Sequence, residues 1–208
     1  MVNAFWLDRD LDAAAAWLVD SHVTSSVFEC SMVLTTAAQL NGYPADEDLS
    51  FTHPDNPLTR WAADSYDNWR RLYDYAEAAH REWRYRWEHG PEERHGSWAA
   101  VESLDLDLVR DLDWPTAGAS DPPQLTGEWT ADDHVDAYRY YYANEKRHLF
   151  EWSKDRSEPP WIEAYTVESA DTTNPTDAVG DGGTGAEPGR GEARGGPDGG
   201  ADPNAGPR

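Results

Sequence analysis

The sequence predicts an all-α fold: an irregular bundle of about five helices, with a short N-terminal segment that is either a strand or an extended lead-in. Apolar side chains recur at intervals of three and four residues along most of the first 165 positions, which is the period of an amphipathic helix. From residue 166 onward Gly, Pro and Asp dominate, and such a segment buries too little apolar surface to fold. We therefore expect one helical domain over residues 1–165 and a disordered tail over residues 166–208.

The first elements follow from local signals. Residues 3–7 are apolar and aromatic and form the predicted strand or lead-in. Asp8 or Asp10 then provides an N-cap for a helix through the alanine run that follows. A second helix should run from Asp20 to about Leu40, where Asn-Gly provides a stop signal. Its apolar stripe consists of Val19, Val23, Val27, Cys30 and Leu34.

The later elements alternate with loops rich in Pro and Asp. Asn56 followed by proline starts a long helix that should reach about Glu88, with four tryptophans on one face. A further helix is predicted from Ser97 to Leu112. The last helix should open at a capping box in residues 130–133 and continue to about Asp155. The four tryptophans are Trp61, Trp69, Trp83 and Trp87.

The composition is strongly acidic, with 40 acidic against 17 basic residues and a net charge of -23. Residues 1–166 hold 32 of the acidic and 14 of the basic residues, and the whole chain has two lysines. Dense carboxylates keep a surface hydrated in concentrated salt, which also screens their mutual repulsion. We interpret the composition as adaptation to a high-salt cell, so the net charge says little about partners.

Cysteine usage and hydropathy exclude several classes of protein. A single cysteine, Cys30, excludes an internal disulfide framework and any zinc site built on several cysteines. The chain shows neither a secretory signal pattern nor an apolar stretch of about 18 residues. We therefore expect a cytoplasmic protein without a membrane partner.

No established catalytic motif occurs, so candidate sites depend on helical spacing. His22 and Glu29 are seven residues apart, which places them on one helix face about 10.5 Å apart along the axis. The small side chains of Ser25 and Ser26 lie between them and would leave a groove. We predict an acid–base pair of His22 and Glu29, with Asp20 as a third catalytic residue. The alternative is that these are boundary residues satisfied by hydrogen bonds.

Lys146 is the second candidate. In the predicted last helix it falls on the inward face, which also includes Tyr142, in a chain that has almost no lysine. Burying an unpaired ammonium is costly, so this charge is predicted either to hold an anionic substrate or to serve structure. The structural alternatives are an ion pair with Glu29 or Asp20, and packing of the lysine stem along aromatic rings.

Two further groups are candidates for binding an anion. Thr52 and His53 precede the helix that starts at Pro57, and a helix N-terminus favours negative charge. The run at residues 81–87 interleaves arginine and aromatic residues, and Arg86 flanks the tryptophan face. The alternatives are a capping network for the first group and a solvated face with Arg–carboxylate pairs for the second.

Several ordered blocks of residues 3–161 resemble a family of small proteins found in tailed phages and in some prokaryotes. The family's block resembling CDKHVVKMxLE is matched by residues 19–29, and its loop resembling THxxHP by residues 52–57. This sequence departs from the family where Ser21 and Asn56 replace a lysine and a histidine. The other blocks are Leu7-Asp8-Arg9-Asp10, Trp61 with Ser65, residues 82–87, Tyr138-Arg139-Tyr140, Glu145-Lys146, Trp152, Arg156 and Pro160-Trp161.

The resemblance implies that the candidate residues share one site, and the phage association suggests nucleic-acid or nucleotide metabolism. Our leading hypothesis is an enzyme acting on a nucleotide, nucleobase or nucleic acid without an organic cofactor. Substrate-binding roles are predicted for Lys146, Arg86, Thr52, His53 and Tyr142. A divalent metal held by His22, Glu29, His53 and Asp20 is a secondary alternative. The other class is a non-catalytic helical module that binds a protein or nucleic acid.

Overall fold

The computed structural model describes residues 2–167 and confirms the all-α prediction. Within this range the chain has no strand, and its α-helices are more numerous and shorter than the sequence suggested. A single 3-10 turn, Arg147–Leu149, follows α7. The helices are α1 Leu11–Trp17, α2 Asp20–Leu40, α3 Pro57–Asp64, α4 Tyr66–Arg86, α5 Gly96–Glu102, α6 Leu106–Arg110, α7 His134–Glu145 and α8 Ile162–Tyr165.

The N-terminal segment is the extended lead-in, not a strand. Val2 to Leu7 have no sheet partner among the described residues, yet each of them is buried. Helices α2 and α4 pack against each other, α1 and α3 both pack against α4, and α5 packs on α2. The single cysteine, Cys30, lies on the buried face of α2, where burial raises the pKa of its thiol.

The long helix predicted from Pro57 is interrupted at Ser65. This residue is extended, with φ -150° and ψ 155°, and its hydroxyl accepts the Asn68 N–H at 3.1 Å. The same hydroxyl donates to the carbonyl of Gly118 at 2.8 Å, which anchors the proline-rich connection at the break. Ser65 is therefore both the C-cap of α3 and the N-cap of α4. Of the four tryptophans, Trp61 and Trp69 are buried, Trp83 is half-buried, and Trp87, which follows α4, is 37% exposed.

The two later helices also end before their predicted limits. The helix expected from Ser97 to Leu112 is divided at residues 103–105, where Asp105 caps α6. The last long helix ends at Glu145, ten residues early, and the chain then returns to the start of α2. There the backbone N–H of Asp20 donates to the carbonyl of Glu151 at 2.9 Å. A tertiary hydrogen bond therefore replaces the helical continuation that the sequence suggested.

The helical unit includes the first two residues of the predicted tail, Thr166 and Val167. Thr166 donates to the carbonyl of Ile162 at 2.9 Å, and the Val167 N–H donates to the Asn144 side chain at 2.9 Å. Both residues thus belong to the helical unit. The remainder of the predicted tail, residues 168–208, lies outside the described residues. None of the described helices is both long and apolar enough to span a membrane.

Candidate functional site

The N-terminal segment covers the face of α2 on which the candidate acid–base pair lies. The backbone N–H of Asn3 donates to Glu29 Oε2 at 2.6 Å. Two residues later, the Phe5 ring stacks on the His22 imidazole with centroids 4.3 Å apart and planes 12° from parallel. Ala4 between them has no exposed surface. The groove predicted between His22 and Glu29 is therefore filled by the protein's own backbone.

A hydrogen-bond relay sets the protonation of His22. The backbone N–H of Val19 donates to the Tyr142 hydroxyl at 2.8 Å, and His22 Nδ1 is 2.9 Å from the same hydroxyl. We assign the hydroxyl proton to His22 Nδ1, because the hydroxyl then donates as well as accepts. With Nδ1 accepting, the imidazole proton is on Nε2. Tyr142 has no exposed surface, so it orients His22 and does not face a ligand.

His22 is neutral in the folded protein. Burial, together with the positive charges of Lys146 and His148, lowers its pKa from 6.5 to about 4. The sequence suggested proton transfer by a histidine of ordinary pKa. The structure instead presents a fixed neutral imidazole whose Nε2–H can donate a hydrogen bond.

Glu29 is partly exposed, and its carboxylate interacts with several positive groups. Burial raises its pKa, whereas the Asn3 N–H and the charges of His53 and Lys146 lower it, with a net rise. A series of aromatic rings connects Lys146 to α2 at one edge of the molecule: its ammonium lies over Tyr141, the Tyr141 ring is 6.4 Å from Phe5, and Phe5 stacks on His22. Glu29 is thus a carboxyl group of this edge whose pKa is raised above its ordinary value, which suits it to proton exchange.

Lys146 is a cation without a carboxylate partner in the described chain. It is the C-cap of α7, and its ammonium lies over the Tyr141 ring, 4.8 Å from the centroid. No carboxylate of residues 2–167 comes within 4.0 Å of it. The other lysine, Lys154, is 3.3 Å from Glu88. Since acidic residues are so abundant, an unpaired lysine at the Glu29 edge is an unusual feature of this chain.

Asp20 and Arg86, both predicted site residues, belong instead to a buried ion network. The Arg86 guanidinium has no exposed surface and donates to Asp20 at 2.8 Å, Glu82 at 2.7 Å and the Ala16 carbonyl at 2.9 Å. Arg156 closes the network with two 2.8 Å bonds to Glu82. Three of its five N–H groups are engaged and its side chain has no exposed surface, so Arg86 joins α1, α2 and α4 and is not accessible to a substrate.

Thr52 and His53 lie on the loop before α3, and the loop is fastened to α2. Thr36 donates to the carbonyl of Thr52 at 3.0 Å and accepts its N–H at the same distance. His53 is exposed, adopts a positive φ of 52°, and its Nδ1 pairs with the Thr52 hydroxyl at 2.8 Å. The charge of His53 reaches Glu29, so this loop borders the same edge.

The four residues of the metal alternative do not assemble. Within the described part of the chain, no group of three or more His, Cys, Asp or Glu side chains is placed to hold a metal ion. Asp20 is engaged by Arg86 and Ser153, and His22 directs Nδ1 to Tyr142. The observed geometry offers a hydrogen-bonding and charge-bearing site, without a ligand set for a metal.

Sequence reasoning missed the residues that complete this edge. Asn3 and Phe5 lie in a segment that the sequence predicts only as a strand or an extended lead-in, and the helical pattern does not distinguish Tyr141 from its two tyrosine neighbours. The signal for Asn3 is weak, because one polar residue in an apolar run has no helical period. Tyr141 has no spacing signal either, because it is five residues before Lys146 and that spacing places two residues on different faces of a helix.

We expect Arg86→Met to lower the free energy of unfolding by about 3–5 kcal/mol, because it leaves Glu82 and Asp20 buried without their main partner. Arg81→Met is the matched control, since Arg81 is on the same helix with exposed partners Glu77 and Asp12. Arg81→Met should lower the free energy of unfolding by about 1 kcal/mol or less. Urea denaturation followed by circular dichroism measures both, and equal losses would contradict the assignment of Arg86 to a structural network.

The low pKa of His22 predicts acid lability. Above pH 6.5 the imidazole is neutral in the folded and unfolded states. Between pH 6.5 and about 4 the unfolded chain binds a proton at His22 that the folded chain does not bind. The free energy of unfolding at pH 4.5 should therefore be about 2 kcal/mol lower than at neutral pH because of this residue.

His22→Asn is the variant for this test, because its side-chain oxygen can still accept from Tyr142. Its unfolding free energy should fall less than that of the unsubstituted protein between pH 7.5 and 4.5, as measured by denaturant titration. The comparison uses the difference between the two pH values, so a uniform loss of stability does not affect it. An identical fall in both proteins would show that His22 is not a source of the acid lability.

No protein-family model, no curated protein and no solved structure matches this chain. The resemblance to the phage-associated family therefore depends on the sequence blocks alone. The function has to be argued from the edge formed by Glu29, His22 and Lys146.

Proposed function

We propose that the protein is an enzyme that acts on a nucleotide, nucleobase or nucleic acid at the edge formed by Glu29, His22 and Lys146. Lys146 holds an anionic group of the substrate, and Glu29 takes up or delivers the proton. His22 donates a hydrogen bond from Nε2 to a substrate oxygen or nitrogen. Thr52 and His53 border the site, while Asp20, Arg86 and Tyr142 hold its frame.

The observation that carries this proposal is the unpaired ammonium of Lys146 beside a protonatable carboxylate. A cation that lacks a carboxylate partner within the described chain retains its attraction for a phosphate or carboxylate ligand. Its charge also reaches Glu29 and His22, so a ligand bound there would be within reach of both. An anchoring charge and a proton-exchanging group at one edge are the minimum for acid–base chemistry on an anionic substrate.

The roles of Glu29 and His22 follow from their protonation. The raised pKa of Glu29 brings its carboxyl closer to the pH at which a group can both accept and release a proton. His22 stays neutral, so it can stabilise developing negative charge without itself losing a proton. The substrate class is the part of the proposal that comes from the phage resemblance and from the preference of a lysine for phosphate.

A non-catalytic binding module is the second candidate, and exposed aromatic residues favour it. Phe28 is 48% and Phe51 is 55% exposed. Phe28 also lines a cavity of about 220 Å³ together with Met32 and Ser50. Exposed large apolar side chains of this kind are typical of a surface that meets another macromolecule. In this alternative the Glu29 edge has no ligand, so the binding experiment below separates the two candidates.

A thermal-shift screen of nucleotides, nucleobases and inorganic phosphate tests the site, using the unsubstituted protein, Lys146→Met and Glu29→Gln. A ligand at about 100 times its Kd should stabilise the unsubstituted protein by about 2.7 kcal/mol. Lys146→Met should abolish the shift because the anion loses its anchor. Lys154→Met, which removes the lysine that is paired with Glu88, should leave the thermal shift unchanged.

The Glu29 variant separates binding from chemistry. Glu29→Gln should still bind the ligand and should fail to convert it, because the amide cannot exchange a proton. If no compound stabilises the protein, or if Lys146→Met and Lys154→Met respond alike, the enzyme proposal is wrong and the binding module becomes the better explanation.

We infer from the acidic composition that the fold is adapted to concentrated salt. The described salt bridges are mostly between exposed arginines and carboxylates, which contribute little, so screening of the excess negative charge should dominate the response to salt. The melting temperature should therefore rise from dilute buffer to molar KCl. A melting temperature that is constant or falls with KCl would contradict this adaptation.

A further inference from the structure

A cavity of about 240 Å³ opens beside Lys146. Its lining residues are Thr126, Gly127, Glu128, Trp129, Tyr141 and Glu145. Tyr141 connects this cavity to the candidate site, because its ring lines the cavity and also lies under the Lys146 ammonium. The same ring is nearly parallel to Phe5, at 6.4 Å and 14°, and Phe5 stacks on His22. A ligand in the cavity would therefore be next to the residues of the proposed site.

The cavity is formed by a hydrogen-bonded turn over residues 126–129 and by the aromatic residues Trp129 and Tyr141. The hydroxyl of Thr126 donates to the Trp129 carbonyl at 2.5 Å, which closes the turn over residues 126–129. Gly127 in that turn has a φ of +66°, a conformation that favours glycine. Trp129 lies nearly parallel to Tyr140, with ring centroids 6.4 Å apart. The indole is thus held in place by both its backbone and its neighbour.

The charged side chains that line the cavity are both carboxylates, those of Glu128 and Glu145. Trp129 Nε1 donates to Glu145 Oε1 at 3.1 Å, which fixes the orientation of that carboxylate. The second oxygen of Glu145 and the carboxylate of Glu128 have no hydrogen-bond donor among residues 2–167. Carboxylates only accept hydrogen bonds when ionised. The cavity therefore favours a flat, aromatic ligand that carries N–H donors along one edge.

We propose that this cavity receives a guanine base, with the phosphate of the same nucleotide at Lys146. Guanine presents a ring N–H and an amino group side by side, and this pair can donate to one carboxylate such as Glu145. Thymine and uracil have a single ring N–H flanked by carbonyl oxygens, which a carboxylate repels. This inference rests on the proposed function, because it uses Lys146 as the phosphate anchor.

The volume of the cavity is sufficient for one base. Pockets for drug-sized molecules begin at about 300 Å³, so a cavity of about 240 Å³ holds one ring system and leaves the sugar and phosphate outside. The phosphate would then extend toward the ammonium that lies over Tyr141. Stacking of a base on an aromatic side chain supplies affinity without base specificity, so the carboxylates would provide the choice of base.

Isothermal titration calorimetry in molar KCl tests this assignment with four probes: guanosine monophosphate, guanosine, thymidine monophosphate and inorganic phosphate. We expect guanosine monophosphate to bind about tenfold more tightly than thymidine monophosphate. Glu145→Gln should remove most of that preference, about tenfold, because an amide presents both a donor and an acceptor to the base. The exposed Glu158→Gln is the matched control and should keep the preference.

The outcomes distinguish this inference from the proposed function. If Lys146→Met weakens both nucleotides and phosphate while Glu145→Gln leaves the preference unchanged, the guanine assignment is overturned and the anion site stands. Equal affinities for the two nucleotides in the unsubstituted protein would overturn the guanine assignment in the same way. If none of the four probes binds, both proposals are overturned. Trp129→Phe is a second variant that keeps the stacking ring, and it should weaken guanosine binding because Glu145 loses its orienting donor.

Discussion

The fold depends on satisfying the backbone of one buried extended segment. Residues 2–7 run through the interior without a strand partner, so their N–H and C=O groups must find side chains. The Tyr75 hydroxyl accepts the Phe5 N–H at 3.1 Å and donates to its carbonyl at 3.2 Å, and Arg139 donates to the Leu7 carbonyl at 2.9 Å. Glu29 accepts the Asn3 N–H. Three helices are therefore positioned by the polar groups of one segment, and the candidate site lies where that segment meets α2.

Charge is used in two different ways in this protein. At the buried junction of α1, α2 and α4, Arg86 and Glu82 compensate each other, and removing one would leave the other uncompensated. At the Glu29 edge, Lys146 has no such partner within the described chain, and its charge acts on neighbouring titratable groups. A basic side chain thus stabilises the fold at the first place and is available to a ligand at the second. The difference is whether a carboxylate lies within bonding distance.

His22 and His80 are held neutral by burial. His22 accepts from Tyr142, and His80 accepts the backbone N–H of His95 at 3.2 Å. Burial lowers the pKa of each to about 4. The exposed His53, in contrast, lies next to Thr52 on a loop. A neutral His22 also explains how an imidazole can be close to Lys146: at neutral pH the two groups do not repel each other as cations.

Short-range patterns in the sequence determined the helical class, the start at Asn56, the extent of α2, and the placement of His22 and Glu29 along one helix. They located two other starts only approximately: the cap is Asp10 of the two candidates Asp8 and Asp10, and it is Asp133 at the end of the predicted capping box over residues 130–133. These follow from helical periodicity and capping chemistry, which involve residues within a few positions of each other. Tertiary structure decided the rest. The break at Ser65 and the end of α7 at Glu145 come from contacts with Gly118 and Asp20, over 50 and 120 residues away along the chain, which no local period records. The same holds for Arg86, which also bonds Asp20 and the Ala16 carbonyl on two other helices, and for the groove that Asn3 and Phe5 fill. The free energy of burial and of long-range hydrogen bonds outweighs the small local preferences that the sequence displays.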